Sequence, residues 1–218
     1  LVAGVGSSGN TTTTSTGTTF ATVTTTTLPP FITVTCPIYV FNDPEIIDAS
    51  GEGTNLLTEL RRFADSVITL HSTSDLVSIM GNGTLSGKQL VIPEQERGSL
   101  SSALGSQSRT LLAQLIEEGL HLILHDTRDI LIQELIGFSM QPTSCVSGYF
   151  ATQELSGGGF SQGPSSLPYG GSSCLQSRPD IADGVYGGTG FVFAWTATVG
   201  NDRITLMLAD YFEVLPEW

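Results

Sequence analysis

Between Phe31 and Phe138, short runs that are apolar on both faces alternate with longer stretches whose apolar residues recur at helical spacing. Phe31 to Phe41 is nearly continuous in apolar and β-branched residues and predicts a strand. Thr54 to Val67 places Leu56, Leu57, Leu60, Phe63, Ala64 and Val67 on one helical face, and Ile68 to Ser72 returns to a short strand. Ser74 to Met80 predicts a short helix capped by Ser74, and Gln89 to Pro93 a buried strand. A helix follows over Gln107 to Gly119, with Leu111, Leu112, Leu115 and Ile116 toward the core. Next come a strand over Leu120 to Leu124 and a helix over Arg128 to Phe138 that carries Ile130, Leu131, Glu134, Leu135 and Phe138 in register. Strands apolar on both faces cannot border water, so they call for helices above and below a mostly parallel sheet, an α/β three-layer sandwich.

What precedes this pattern is different in kind. The first 42 residues carry no charged side chain, and twelve of the seventeen positions from Thr11 to Thr27 are threonine. Threonine favours extended backbone, but Phe20, Ala21 and Val23 are too few apolar anchors for a core. We therefore expect residues 1–30, ending at Leu28-Pro29-Pro30, to be an extended arm whose segment Phe20-Ala21-Thr22-Val23-Thr24 is donated as a strand to a neighbouring subunit. The 27 residues before Leu28 span about 90 Å when extended, enough to cross a neighbour. A threonine-rich stalk coated with O-linked sugars is the competing account. Residues 31–218 are left as one domain, and with 39% hydrophobic content in 218 residues the chain can fill a single core.

The last third changes character again. Residues 141–189 form an excursion, rich in Gly, Ser and Pro as far as Pro179, with one strand expected around Val146 to Thr152. The glycine clusters Gly157-Gly158-Gly159 and Gly187-Gly188 are expected to supply turns. Gly190 to Val199 and Arg203 to Phe212 read as strands joined across Gly200-Asn201-Asp202 in a closing hairpin. Three cysteines, Cys36, Cys145 and Cys174, suit an oxidising compartment; Cys145 with Cys174 is the preferred pair because both lie where little else holds the chain, while Cys36 is expected as a buried strand thiol. The Asn10 and Asn82 sequons and the small-residue start at Leu1 fit a secreted glycoprotein. A net charge of −13 disfavours nucleic acid and anionic lipid as partners, and no apolar run is long enough to span a bilayer.

The order Ile38-Tyr39-Val40-Phe41-Asn42-Asp43, then Leu90-Val91-Ile92-Pro93-Glu94, then Glu118-Gly119-Leu120-His121-Leu122-Ile123-Leu124, then Ile136-Gly137-Phe138-Ser139 resembles the class I glutamine amidotransferase-like fold. Within that group it is most similar to the non-amidotransferase and ThuA-like domains of secreted bacterial proteins. The resemblance covers residues 31–140 and the closing hairpin, and implies a flavodoxin-like core. Family amidotransferases place a nucleophilic cysteine in a glycine-rich turn after the strand that here ends at Leu124. This chain has His125-Asp126-Thr127 at that place and no Gly-x-Cys-x-Gly anywhere, so the group that forms the thioester is missing.

Any remaining chemistry is expected at the carboxyl ends of the parallel strands. Asn42 and Asp43 follow the first strand, Glu94 and Glu96 the third, and His125 and Asp126 the fourth, a set suited to a ligand cleft with a general base or a cation ligand. The plainer reading is that these residues are polar strand ends and helix caps and that none is catalytic. No metal-spaced cluster or phosphate loop is present, and no cofactor is expected; Asp180, Asp183 and Asp202 are the candidates for calcium. Gly98-Ser99-Leu100-Ser101 reads as loop, and Trp195 as core. Two functions fit: a secreted, self-polymerising structural subunit, or a ThuA-like enzyme or binding domain for a carbohydrate or small polar metabolite.

Overall fold

A computed structural model of the chain describes residues 36–125, 130–145, 174–188 and 190–208, with backbone alone at 151–153, 166–167 and 173. The arm, Asn10, Asp126, Thr127, Gly157 to Gly159 and Trp218 lie outside the described residues. The first part of the chain runs β1 (Ile38–Phe41), α1 (Glu52–Phe63), β2 (Val67–Leu70), α2 (Thr73–Gly81), β3 (Gln89–Ile92), α3 (Leu100–Ala103), α4 (Ser106–Glu117), β4 (His121–Leu124) and α5 (Leu131–Ile136). The remainder is β5 (Pro142–Ser144), β6 (Ala151–Gln153), β7 (Ser166–Leu167), β8 (Ser173–Leu175), β9 (Ala182–Gly188), β10 (Phe191–Val199) and β11 (Asp202–Met207).

The sheet order is β2-β1-β3-β4-β11-β10-β9-β6-β7, with β8 on β10 and β5 on β8. From β2 to β11 every neighbouring pair is parallel, so β11 completes the 2-1-3-4-5 order of a flavodoxin-like sandwich. Antiparallel pairing begins at β10, giving the mixed sheet that the closing hairpin implied. That hairpin turns at Gly200, whose φ of 59° suits glycine, and Asn201 N–H donates to Glu117 O at the end of α4 (3.0 Å). A side chain on Gly200 would strike the Glu117 backbone, so the turn seats directly on α4.

Two apolar clusters fill the layers. Ile38, Val40 and Val91 pack on Leu56, Leu57 and Leu60 of α1. On the other face Phe41, Leu90, Ile92 and Leu122 meet α2, α4 and α5 through Leu76, Met80, Leu112 and Leu131, and the cluster continues to Trp195 on β10. The expected core role of Trp195 holds: it is fully buried, with Phe138 edge-on at 6.3 Å between ring centroids.

Several expectations are corrected. Cys36 is exposed and precedes β1, so it is not a buried strand thiol; the strand begins only at Ile38, after Pro37. The cap of α2 is Ser72, whose hydroxyl accepts from Asp75 N–H, and Ser74 lies inside the helix. Ser99 caps a short helix, α3, in place of the expected loop. Gly187 and Gly188 lie within β9 and make no turn; the Phe191 ring occupies the space a Gly188 side chain would need. The excursion contains strands the sequence did not suggest, and β8 is tied to the segment after α5 by a Cys145–Cys174 disulfide with Cα atoms 5.2 Å apart.

Candidate functional site

The parallel strands end at a common level. Asn42 N–H donates to Leu70 O (2.7 Å) and His125 N–H to Ile92 O (3.0 Å), and the β1–β3 and β3–β4 registers bring Asn42, Pro93 and His125 side by side. Strand alternation carries all three onto the face covered by α1, and at about 4.8 Å per strand the crest from Asn42 to His125 spans about 10 Å. The topology reverses between β1 and β3, which is where open α/β sheets bind ligands. The sequence-predicted Asn42 and His125 thus stand at one level with Pro93 between them, whereas Asp43, the next residue in the chain, turns to α2. Asn42, Asp43 and His125 are buried, Glu94 is half-buried and Glu96 is exposed.

Their chemistry is largely committed to the fold. Asp43 Oδ1 accepts from Glu45 N–H (3.0 Å), and Oδ2 accepts from Thr73 N–H (2.8 Å) and the Thr73 hydroxyl (3.1 Å). The carboxylate thus holds the first turn of α2, where the helix dipole favours it, and closes the turn after β1. Gln95 Oε1 accepts from Leu100 N–H (2.5 Å) and fixes the start of α3. Arg97, on the same loop, pairs with Asp48 (2.6 Å) and locks the loops after β1 and β3 against each other. Glu134 of α5 binds Arg109 (2.9 Å) and the Ser101 hydroxyl (2.7 Å), joining α3, α4 and α5.

His125 is lowered to about 4 by burial, partly offset by its hydrogen bond to the Met207 carbonyl. It is neutral near pH 7 and a feeble base. His121, at the other end of β4, is also lowered to about 4 by burial, with Asp202 opposing and Arg203 reinforcing the shift; its Nε2 lies 2.9 Å from the Thr205 hydroxyl on β11. Asn42 differs from its neighbours. Its Oδ1 is buried, finds no hydrogen-bond partner among the described residues, and lies against Gly53 so closely that no side chain fits there.

No group of three His, Cys, Asp or Glu side chains able to hold a metal ion occurs among the described residues, so Asp180, Asp183 and Asp202 do not converge on a calcium site. The Asn82 sequon is exposed at the end of α2, with Asn82 Oδ1 accepting from Thr84 N–H and its hydroxyl. Sequence reasoning missed the buried Glu52 in the first turn of α1, along with Gln95 and Ser101. An acidic residue at a helix start was a legible cue for Glu52; its burial was not.

No protein-family model and no curated protein matches the chain. Solved structures do share its fold. The N-terminal domain of mmIFT52 superposes with a TM-score of 0.51 at 10% identity, covering 81% of this chain and 86% of that one. The cytoplasmic protein STM1381 of Salmonella typhimurium LT2 gives 0.52 at 12% identity over 80% and 87%. A ThuA-like protein of Bacteroides uniformis gives 0.50 at 9% identity over 84% of each chain. At such identities the likeness is one of fold alone, a flavodoxin-like α/β sandwich that this chain shares with those proteins.

Proposed function

We propose that the chain is a structural subunit of a secreted extracellular filament or surface layer, polymerising through its N-terminal arm. The observation that carries this reading is the commitment of Asp43: the carboxylate best placed for chemistry at the strand crest is held by three hydrogen bonds that cap α2 and close a turn. The neutral, buried His125 and the missing cysteine nucleophile support the same reading, and the Cys145–Cys174 bond suits an oxidising compartment. An uncharged threonine-rich arm then accounts for assembly, because its burial between subunits desolvates no ion. Electron microscopy of the full chain and of a chain lacking residues 1–27 tests this. Ordered polymers from the first and dispersed particles from the second are expected; identical polymers from both would refute the proposal.

The unpartnered Asn42 Oδ1 favours a second reading, a binding domain for a carbohydrate or other small hydroxyl donor. Sugars that raise the melting temperature of the wild type but not of Asn42→Leu would support it.

A further inference from the structure

Among the described residues β2 is the terminal strand of the parallel side of the sheet. Its sequence, Val67-Ile68-Thr69-Leu70, lacks the charge, proline or bulge that usually protects an edge. Ser66 O and Leu70 O accept from Ile38 and Asn42 of the β1 segment, so by the period of a parallel ladder Ile68 also faces β1. Val67 and Thr69 therefore turn their N–H and C=O groups outward. The upper end of this edge is closed, because His71 N–H donates to Asp75 Oδ2 (2.9 Å). Ile68 is 38% exposed and lies on the α2 face of the sheet, the face on which Val77 is also 38% exposed. The result is an uncharged seat about four residues long with an apolar flank.

The described chain starts at the foot of this seat: Ile38 N–H donates to Ser66 O (3.0 Å), and 35 residues precede Cys36. We propose, resting on the arm-mediated reading above, that the β2 edge is the acceptor and that its occupant is the segment Phe20 to Thr24 of a second copy. Five uncharged residues match the length of the seat. The eleven residues from Thr25 to Thr35, which link that segment to the foot of β1, reach about 36 Å and allow the arm to leave its own domain. Added as an outer strand, the segment takes up the outward groups of Val67 and Thr69, and Phe20 or Val23 covers Ile68.

The test uses the full chain. Thr69→Pro removes an outward N–H without touching the β1–β2 ladder, and Ile68→Lys places a charge at the seat. Both are expected to keep the far-UV circular dichroism of the wild type and to weaken self-association about tenfold or more in sedimentation. In a Cys36→Ser background, chains carrying Val23→Cys are mixed with chains carrying Ile68→Cys and treated with a short bismaleimide; a covalent heterodimer is expected. Cross-linking only within a single chain that carries both cysteines would mean that the arm folds back on its own domain, and would overturn the proposal. If deleting residues 1–27 abolishes assembly while neither edge variant weakens it and no heterodimer forms, the arm reading stands and the β2 acceptor fails. If the deletion leaves assembly unchanged, both fail.

Discussion

From β2 to β4 each strand meets its neighbours in parallel and is followed or preceded by a helix close to it in sequence; from β11, which joins β4 in parallel, through β10 to β7 the strands pair antiparallel and lean on distant contacts. In the first region apolar spacing alone supplies the core, as in Leu56, Leu57 and Leu60 under β1. In the second, order depends on single features: Trp195, the Phe191 ring over Gly188, and the Cys145–Cys174 bond. The fold therefore has a self-sufficient half and a half held by a few fastenings. That contrast predicts where single substitutions hurt most.

The largest effect is expected at Trp195, which joins the second region to Phe138 and the shared core. Trp195→Ala should cost about 3–5 kcal/mol in chemical denaturation. Trp195→Phe should cost much less, because the indole N–H has no acceptor among the described residues and its removal relieves a desolvated donor. Equal losses for the two variants would mean that the N–H is bonded in solution.

Breaking the disulfide should come next. The Cys145→Ser, Cys174→Ser double variant should lose about 2–4 kcal/mol, read from denaturation midpoints. Hydrogen exchange should rise at β8, β9 and β10 while β1 and β3 stay protected. Uniform loss of protection would show that the two regions unfold as one unit and would erase the contrast between them.

The seam between the regions is the β4–β11 ladder, and the half-buried His121 and the buried His125 cross it, His121 to Thr205 and His125 to Met207. Their folded values are lowered to about 4 from an ordinary 6.5. Above pH 6.5 they are neutral folded or unfolded, and their contribution is fully present. As pH falls from 6.5 toward 4 the unfolded chain binds protons that the folded chain does not, so stability declines. Together they should cost about 2 kcal/mol by about pH 5.5, read as a fall in melting temperature from about pH 7, and His125→Asn should lessen the slope. A flat profile over that range would show that the rings are hydrated.

The first region was legible because its signals are local. Leu111, Leu112 and Leu115 declare a helix by spacing, and Leu90 to Ile92 declare a strand buried on both faces. The second region was partly legible: Cys145 and Cys174 and the hairpin at Gly200 were readable, but β9 was not, since Gly184, Gly187 and Gly188 mimic a loop until Phe191 is seen to pack on the last of them. The crest followed the same rule. Asn42, Asp43 and His125 were found by their place after strands, whereas Gln95 and Glu52 depend on tertiary burial that no periodicity reports. Ser72 displaced Ser74 as the cap of α2 because the helix starts earlier than the apolar pattern does.

The smallest effect, and the one that bears most directly on function, is expected at Asp43. If the residue is a cap, its value lies in accepting hydrogen bonds from Thr73 and Glu45, and a neutral acceptor of the same shape should retain most of it. Asp43→Ala should cost about 1–2 kcal/mol, and Asp43→Asn a few tenths to about 1 kcal/mol. The loss should be local, reported by faster hydrogen exchange in α2, and self-assembly should be unchanged because the arm and the β2 edge are untouched. A catalytic or cation-binding Asp43 would behave in the opposite way: Asn would be as damaging as Ala to activity or metal affinity, while stability would hold or rise once a buried charge was removed. A more stable Asp43→Asn chain would therefore mark the crest as a working site and overturn the structural reading of this domain.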